Sequence, residues 1–176
     1  RVDENLRVAA GLIADAARSW DRAATSARRA FANADAVRLF TSALASARHT
    51  GDREIEGLAL IGRGAAYEDL GQFDEATDDH QEAEQLAVAT GDRALRATAV
   101  ERLGWTAYYR RDVDEAVARA DEASHMPGAR PSAWNLLGRT KHWAGDFDAA
   151  HRAYERALDE VGDEDEAVRV SVLSCL

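Results

Sequence analysis

The residues with the most obvious chemical potential are five histidines, His49, His80, His125, His142 and His151. A zinc site needs its ligands on one face at a fixed spacing, as in two histidines four residues apart with a glutamate beside the first, and no such spacing occurs. His80 and His151 fall in helices expected to face outward or toward a neighbouring repeat. Asp74, Glu75, Asp78 and Asp79 crowd the start of one helix. The helix dipole favours carboxylates there, but they lack the glycine and ligand spacing of a calcium loop. Gly62-Arg63-Gly64 has no preceding strand and no third glycine, so it is not a phosphate-binding turn. Cys175, the only cysteine, reads as a small core residue, and no serine has an acid–base partner in sequence. The expectation is a chain with no catalytic residue, no metal and no cofactor.

A second kind of chemistry, contact without reaction, is better represented. Trp105, Tyr108, Tyr109, Asn135, Arg139, His142 and Trp143 are aromatic or hydrogen-bonding residues of the kind that anchor binding partners. Tyr108 and His142 are 34 residues apart, as are Tyr109 and Trp143. Glu68 and Asp69 occupy the corresponding place in an earlier stretch, with Arg28 and Arg29 one interval before them. The arginines could grip an acidic ligand, but ion pairing between successive repeats is the preferred reading. Such surface pairs contribute only ~0–1 kcal/mol each. For the rings the two readings, an aromatic pocket or packing between repeats, stand side by side.

The elements that position these residues recur. Leu60, Gly64, Tyr67, Gly71, Phe73, Ala76 and Ala83 are echoed by Leu103, Gly104, Ala107, Val113, Ala116 and Ala120, and again by Leu137, Gly138, Gly145, Phe147, Ala150, Tyr154 and Ala157. Gly64 to Gly104 is 40 residues and Gly104 to Gly138 is 34. Thr50-Gly51-Asp52-Arg53 returns as Thr90-Gly91-Asp92-Arg93. Glycine there ends one helix in a left-handed cap, and aspartate caps the next by accepting backbone N–H bonds. Three-four apolar spacing predicts helices over about 14–30, 34–48, 53–70, 74–89, 93–110, 114–125, 131–144 and 148–161, with a leading helix at 3–10 and a trailing one at 164–176. A capping box of Asp163 and Glu166 is expected to start the last. A helical hairpin cannot bury its apolar stripe alone, so the pairs must stack. In such a stack the first helix of each pair lines the concave face, which is why the residues above are read as a groove.

Composition agrees. Hydrophobic residues make up 46% and charged residues 31%, with only two prolines, favouring a folded all-helical chain. The net charge of -10 disfavours nucleic acid as a direct partner. No apolar run reaches the roughly 18 residues a membrane span needs. A single cysteine fits a reducing compartment, and a cytoplasmic location is expected. The chain starts at Arg1, and it reads as a piece of a longer protein. Val168, Val170, Val172, Leu173 and Leu176 make the final helix apolar around much of its surface. That predicts further repeats, or self-association through 164–176, because a terminal helix should present a polar face.

The glycine, aromatic and alanine series resembles tetratricopeptide repeats. Four units are expected, at about 17–50, 57–90, 97–128 and 131–162. The third departs, with Ala107, Arg111 and Val113 where the second has Tyr67, Gly71 and Phe73. The first has Ala24 where later units have glycine. The resemblance implies an all-α, right-handed α-α superhelix of antiparallel helix pairs, one solenoid over 1–176, acting as a non-enzymatic protein- or peptide-binding module. Some members clamp carboxylate tails of chaperones, but only Asn135 and Arg139 match here, and Glu68 and Glu101 oppose it. Ala9-Ala10-Gly11, 14–20 and Ala34-Asp35-Ala36-Val37 further resemble the entry to the repeat region of bacterial signalling ATPases, including ATP-binding transcriptional regulators. That likeness implies a sensing or docking arm binding a protein, a peptide or a neighbouring domain. The alternative is a small-ligand receptor whose closure controls an attached ATPase.

Overall fold

Helix ends follow from the residues that punctuate them. Gly51, Gly71, Gly91 and Gly145 all adopt left-handed backbone, with φ of 72°, 74°, 71° and 83°. The next residue then starts a new helix: Asp52 accepts the Ile55 N–H at 3.1 Å, Asp92 that of Leu95 at 2.9 Å, and Asp146 that of Ala149 at 3.1 Å. One left-handed turn of this kind has no glycine. Arg111 has φ 64°, and Asp112 behind it caps the following helix through the Glu115 N–H at 3.3 Å. A side chain in this conformation costs about 1–2 kcal/mol that glycine avoids.

The computed structural model describes residues 32–161 continuously and, outside that span, residues 15, 18, 19, 22–24, 26–28, 169 and 172. Seven complete helices result: α1 (Asn33–Thr50), α2 (Arg53–Asp69), α3 (Phe73–Thr90), α4 (Arg93–Arg110), α5 (Val113–His125), α6 (Pro131–Trp143) and α7 (Phe147–Val161). Their limits lie within two residues of the sequence expectation. Pro131 opens α6 at a position where its missing N–H is harmless. The described residues contain no strand, and consecutive helices pack as antiparallel pairs, the arrangement of helical-repeat solenoids. The leading helix at 3–10, the capping box at Asp163 and most of 164–176 lie outside the described residues. The chain divides into two compact units, residues 1–95 and 96–176.

In unit 1, α2 packs on both α1 and α3. Phe40, Leu44 and Leu60 are buried among Ala36, Ala43, Ala47, Ala59, Ala76 and Ala83. Alanine lets the helices approach closely, and glycine closer still. A Cβ on Gly64 would stand 2.4 Å from the His80 ring, sixteen residues on. His80 is therefore not the outward or inter-repeat residue expected from sequence. It is fully buried inside its own hairpin, with Nε2 3.2 Å from Glu68 Oε1. Beside it Arg63 donates two bonds to Asp79, of 2.8 and 2.6 Å. The carboxylate holds the guanidinium firmly protonated, as Asp79 is itself almost wholly buried. Burial pushes the His80 imidazole down to about 4, against the pull of Asp79. The ring is thus neutral near pH 7, with Nε2 in hydrogen-bond contact with the Glu68 carboxyl.

Unit 2 repeats the geometry. A Cβ on Gly138 would meet the Tyr154 ring at 2.4 Å, again sixteen residues on. One on Gly104 would meet Leu136 at 2.8 Å and the Ala120 backbone nitrogen at 3.4 Å. Leu136, Leu137, Ala120 and Ala153 form a core over which Trp105, Tyr108 and Trp134 lie. Glu101, expected in the groove, is buried and accepts from Arg130 at 2.8 Å. Val172, expected on an exposed apolar surface, is also buried, against Ala150, Tyr154 and Ala157. Val172 thus packs on the apolar face of α7 from within the chain.

Two outcomes follow. Gly138→Ala gains helix propensity of about 1 kcal/mol but forces a methyl into the Tyr154 ring, so a net loss on the order of 1–2 kcal/mol is expected. Urea unfolding with an unchanged m-value and a lower midpoint checks this; wild-type stability would refute the close approach. For His80, the folded value lies below the ordinary 6.5, so the unfolded chain binds its proton first as pH falls. Its contribution is fully present above about pH 6.5 and is lost as pH falls toward 4, on the order of 3 kcal/mol in all. In His80→Phe the stability slope across that window flattens or reverses, as read by denaturant unfolding at several pH values; an unaltered slope would show that the ring is not held neutral.

Candidate functional site

Unit 2 places five of the expected residues around one open cavity. The end of α4 supplies Tyr108 and Tyr109, and the turn after it supplies Arg111. The last turns of α6 supply Arg139, His142 and Trp143, and Tyr154 comes from α7. The cavity measures about 620 Å³. It exists because α4 and α6 both end here, one at a left-handed Arg111 and the other at a left-handed Gly145.

The rings are mutually braced. Tyr108 meets Trp143 edge-on with centroids 5.2 Å apart, and Trp105 stacks on Tyr109 at 5.9 Å. Trp105 also meets Tyr108 edge-on at 5.8 Å. Each aromatic pair adds about 0.5–1.5 kcal/mol beyond burial. Arg139 lies over this cluster, its guanidinium carbon 5.3 Å from the Tyr108 centroid and 5.9 Å from that of Trp105. It also donates through Nη2 to the Tyr108 hydroxyl at 3.3 Å. His142 leans on Phe147 with centroids 5.1 Å apart.

The two readings of these aromatics divide by residue. Trp105 and Tyr108 are half-buried against the Leu136–Leu137 core, so they pack. Tyr109 and Trp143 remain 46% and 38% exposed. Asn135, expected beside them, is buried within unit 2.

Glu68 and Asp69 belong to unit 1 and are engaged there. Glu68 is buried against His80, and Asp69 accepts from Arg28 at 2.8 Å. The ion-pair reading of Arg28 thus describes this contact, and Arg29 lies outside the described residues. Two cavity residues were missing from the expected set, Arg111 and Tyr154. Tyr154 gave no signal, because it sits in a second helix at a core position. Arg111 did: it stands where the second and fourth repeats have Gly71 and Gly145.

Among the described residues no group of three histidine, cysteine, aspartate or glutamate side chains could hold a metal ion. Nor is any described helix long and apolar enough to cross a membrane.

No protein-family model matches the sequence, and no curated protein matches it. Among solved structures, the chain is similar to BtubC (BKLC) from P. vanneervenii, with a TM-score of 0.69 and 19% identity over 89% of this chain and 64% of that one. The chain therefore spans somewhat under two thirds of that relative's length, and at this identity the likeness is one of fold alone. The Cut9–Hcn1 hetero-tetramer of APC/C aligns with 98% of this chain and 39% of that one at 16% identity, but its TM-score of 0.38 is too low to bear on the fold.

Proposed function

We propose that the chain is a non-enzymatic docking module of tetratricopeptide type, binding a peptide or protein segment in the cavity of unit 2. The observation that carries this is the pair of exposed rings, Tyr109 and Trp143, held in place by Trp105, Tyr108 and Arg139. Rings fixed before binding lose little conformational freedom on contact, which is what makes aromatic residues and arginine effective anchors. Helical-hairpin repeats suit this role because successive hairpins place side chains from first helices side by side.

On the finer reading, the module is the sensing or docking arm of a larger, cytoplasmic bacterial regulator, and its partner is a protein segment or a neighbouring domain of the parent chain. Self-association through 164–176 is a weaker element of this reading, since Val172 is covered within the chain. A second reading rests on size. A cavity of about 620 Å³ also suits a small effector, whose binding would control an attached ATPase or output domain.

Tyr109→Ala and Trp143→Ala test the site. Each is expected to weaken partner binding by about tenfold to a hundredfold, equivalent to about 1.4–2.7 kcal/mol, with little change in melting temperature. Titration of the parent protein's partner followed by calorimetry reads this out, and unchanged affinity in both variants would remove the cavity from the interface. A small effector would instead raise the melting temperature of the isolated chain in proportion to its concentration over Kd.

A further inference from the structure

Arg111 is anomalous in two independent ways. Its backbone occupies the left-handed region, at φ 64°, while the four other helix-ending turns that adopt this conformation use glycine. At Gly51, Gly71, Gly91 and Gly145 a Cβ would meet nothing within 4 Å, so those sites exclude a side chain by dihedral preference rather than by space. An arginine here is therefore tolerated sterically but strained in its backbone. Strained residues of this kind are held by the surrounding structure and cluster at ligand-binding and switch sites.

The Arg111 side chain is exposed, and among the described residues it enters no ion pair or side-chain hydrogen bond. It does line the cavity, together with Arg139 and His142. No described residue lining that cavity carries a carboxylate. The chain as a whole has a net charge of -10, so this lining opposes the prevailing sign.

We propose that Arg111 makes this cavity selective for an acidic peptide segment, in which an aromatic side chain rests against Tyr109 and Trp143 while flanking carboxylates pair with Arg111. This rests on the docking reading above and adds the chemistry of the partner. Guanidinium suits the task because its planar donors match a carboxylate with two parallel bonds. Arg139 is already committed to the rings of Trp105 and Tyr108 and acts as a fixed positive wall. The recognised groups are side-chain carboxylates, so a free chain terminus is not required.

The test uses three end-capped peptides, each with one tryptophan flanked on both sides by glutamate, glutamine or lysine, titrated against the full chain by fluorescence anisotropy. The glutamate peptide is expected to bind at least ~10-fold more tightly than the glutamine peptide, and the lysine peptide more weakly than both, with the preference shrinking as salt is raised. Arg111→Gly is the decisive variant. It relieves the backbone strain, so its melting temperature is expected to rise or hold, while its preference for glutamate over glutamine falls to within about twofold. Arg111→Lys keeps the charge and retains part of the preference. Equal binding of all three peptides, with loss in Trp143→Ala, would overturn the acidic selectivity and leave the docking site standing. A glutamate preference undiminished in a folded Arg111→Gly would overturn the role of Arg111. Failure of every peptide to bind would overturn both.

Discussion

Two of the hairpins depend on one constraint: their helices must come close enough for a ring on one to lie against the bare backbone of the other. Gly64 under His80 and Gly138 under Tyr154 are the same contact in two hairpins, each sixteen residues apart in sequence. The intervening count is set by two helical segments and a turn, so the contact also fixes the register of the pair. Alanine elsewhere along the interface, as at Ala36, Ala76, Ala116 and Ala150, keeps the rest of each pair close enough for this to happen. A larger residue at either glycine separates the helices at the point where they are nearest.

The same contact accommodates very different chemistry. In unit 2 it holds a tyrosine that faces the cavity. In unit 1 it holds a neutral imidazole hydrogen-bonded to a buried carboxyl group, next to a two-bond guanidinium–carboxylate pair. Buried polar groups are costly unless every partner is in place, and removing one leaves the others exposed to that cost. The unit 1 hairpin is therefore specified by polar matching, and the unit 2 hairpin by shape and aromatic contact.

Much of this was legible in the chain. Helix limits could be read because glycine and aspartate at 51–52 and 91–92 act through local backbone chemistry, which needs no knowledge of the tertiary fold. The cavity aromatics could be located because a 34-residue period maps Tyr109 onto Trp143. Partner choice within the cluster was not legible. Tyr108 contacts Trp143 rather than its periodic counterpart His142, because ring orientation depends on side-chain packing that spacing does not encode. His80 was misplaced for a related reason: a polar residue in a second helix reads as surface until a facing glycine and a buried Glu68 are known to receive it. Arg111 was visible as a departure from the repeat, but its meaning depended on a backbone angle.

Tyr154 has two duties whose combination has a mechanical consequence. One edge of its ring closes on Gly138 and so fastens α6 to α7; the ring also contributes to the wall of the cavity. Anything lodged in that hollow bears on the joint between these two helices. A guest there would touch the ring that joins α6 to α7, so its fit would depend on how closely that pair of helices packs.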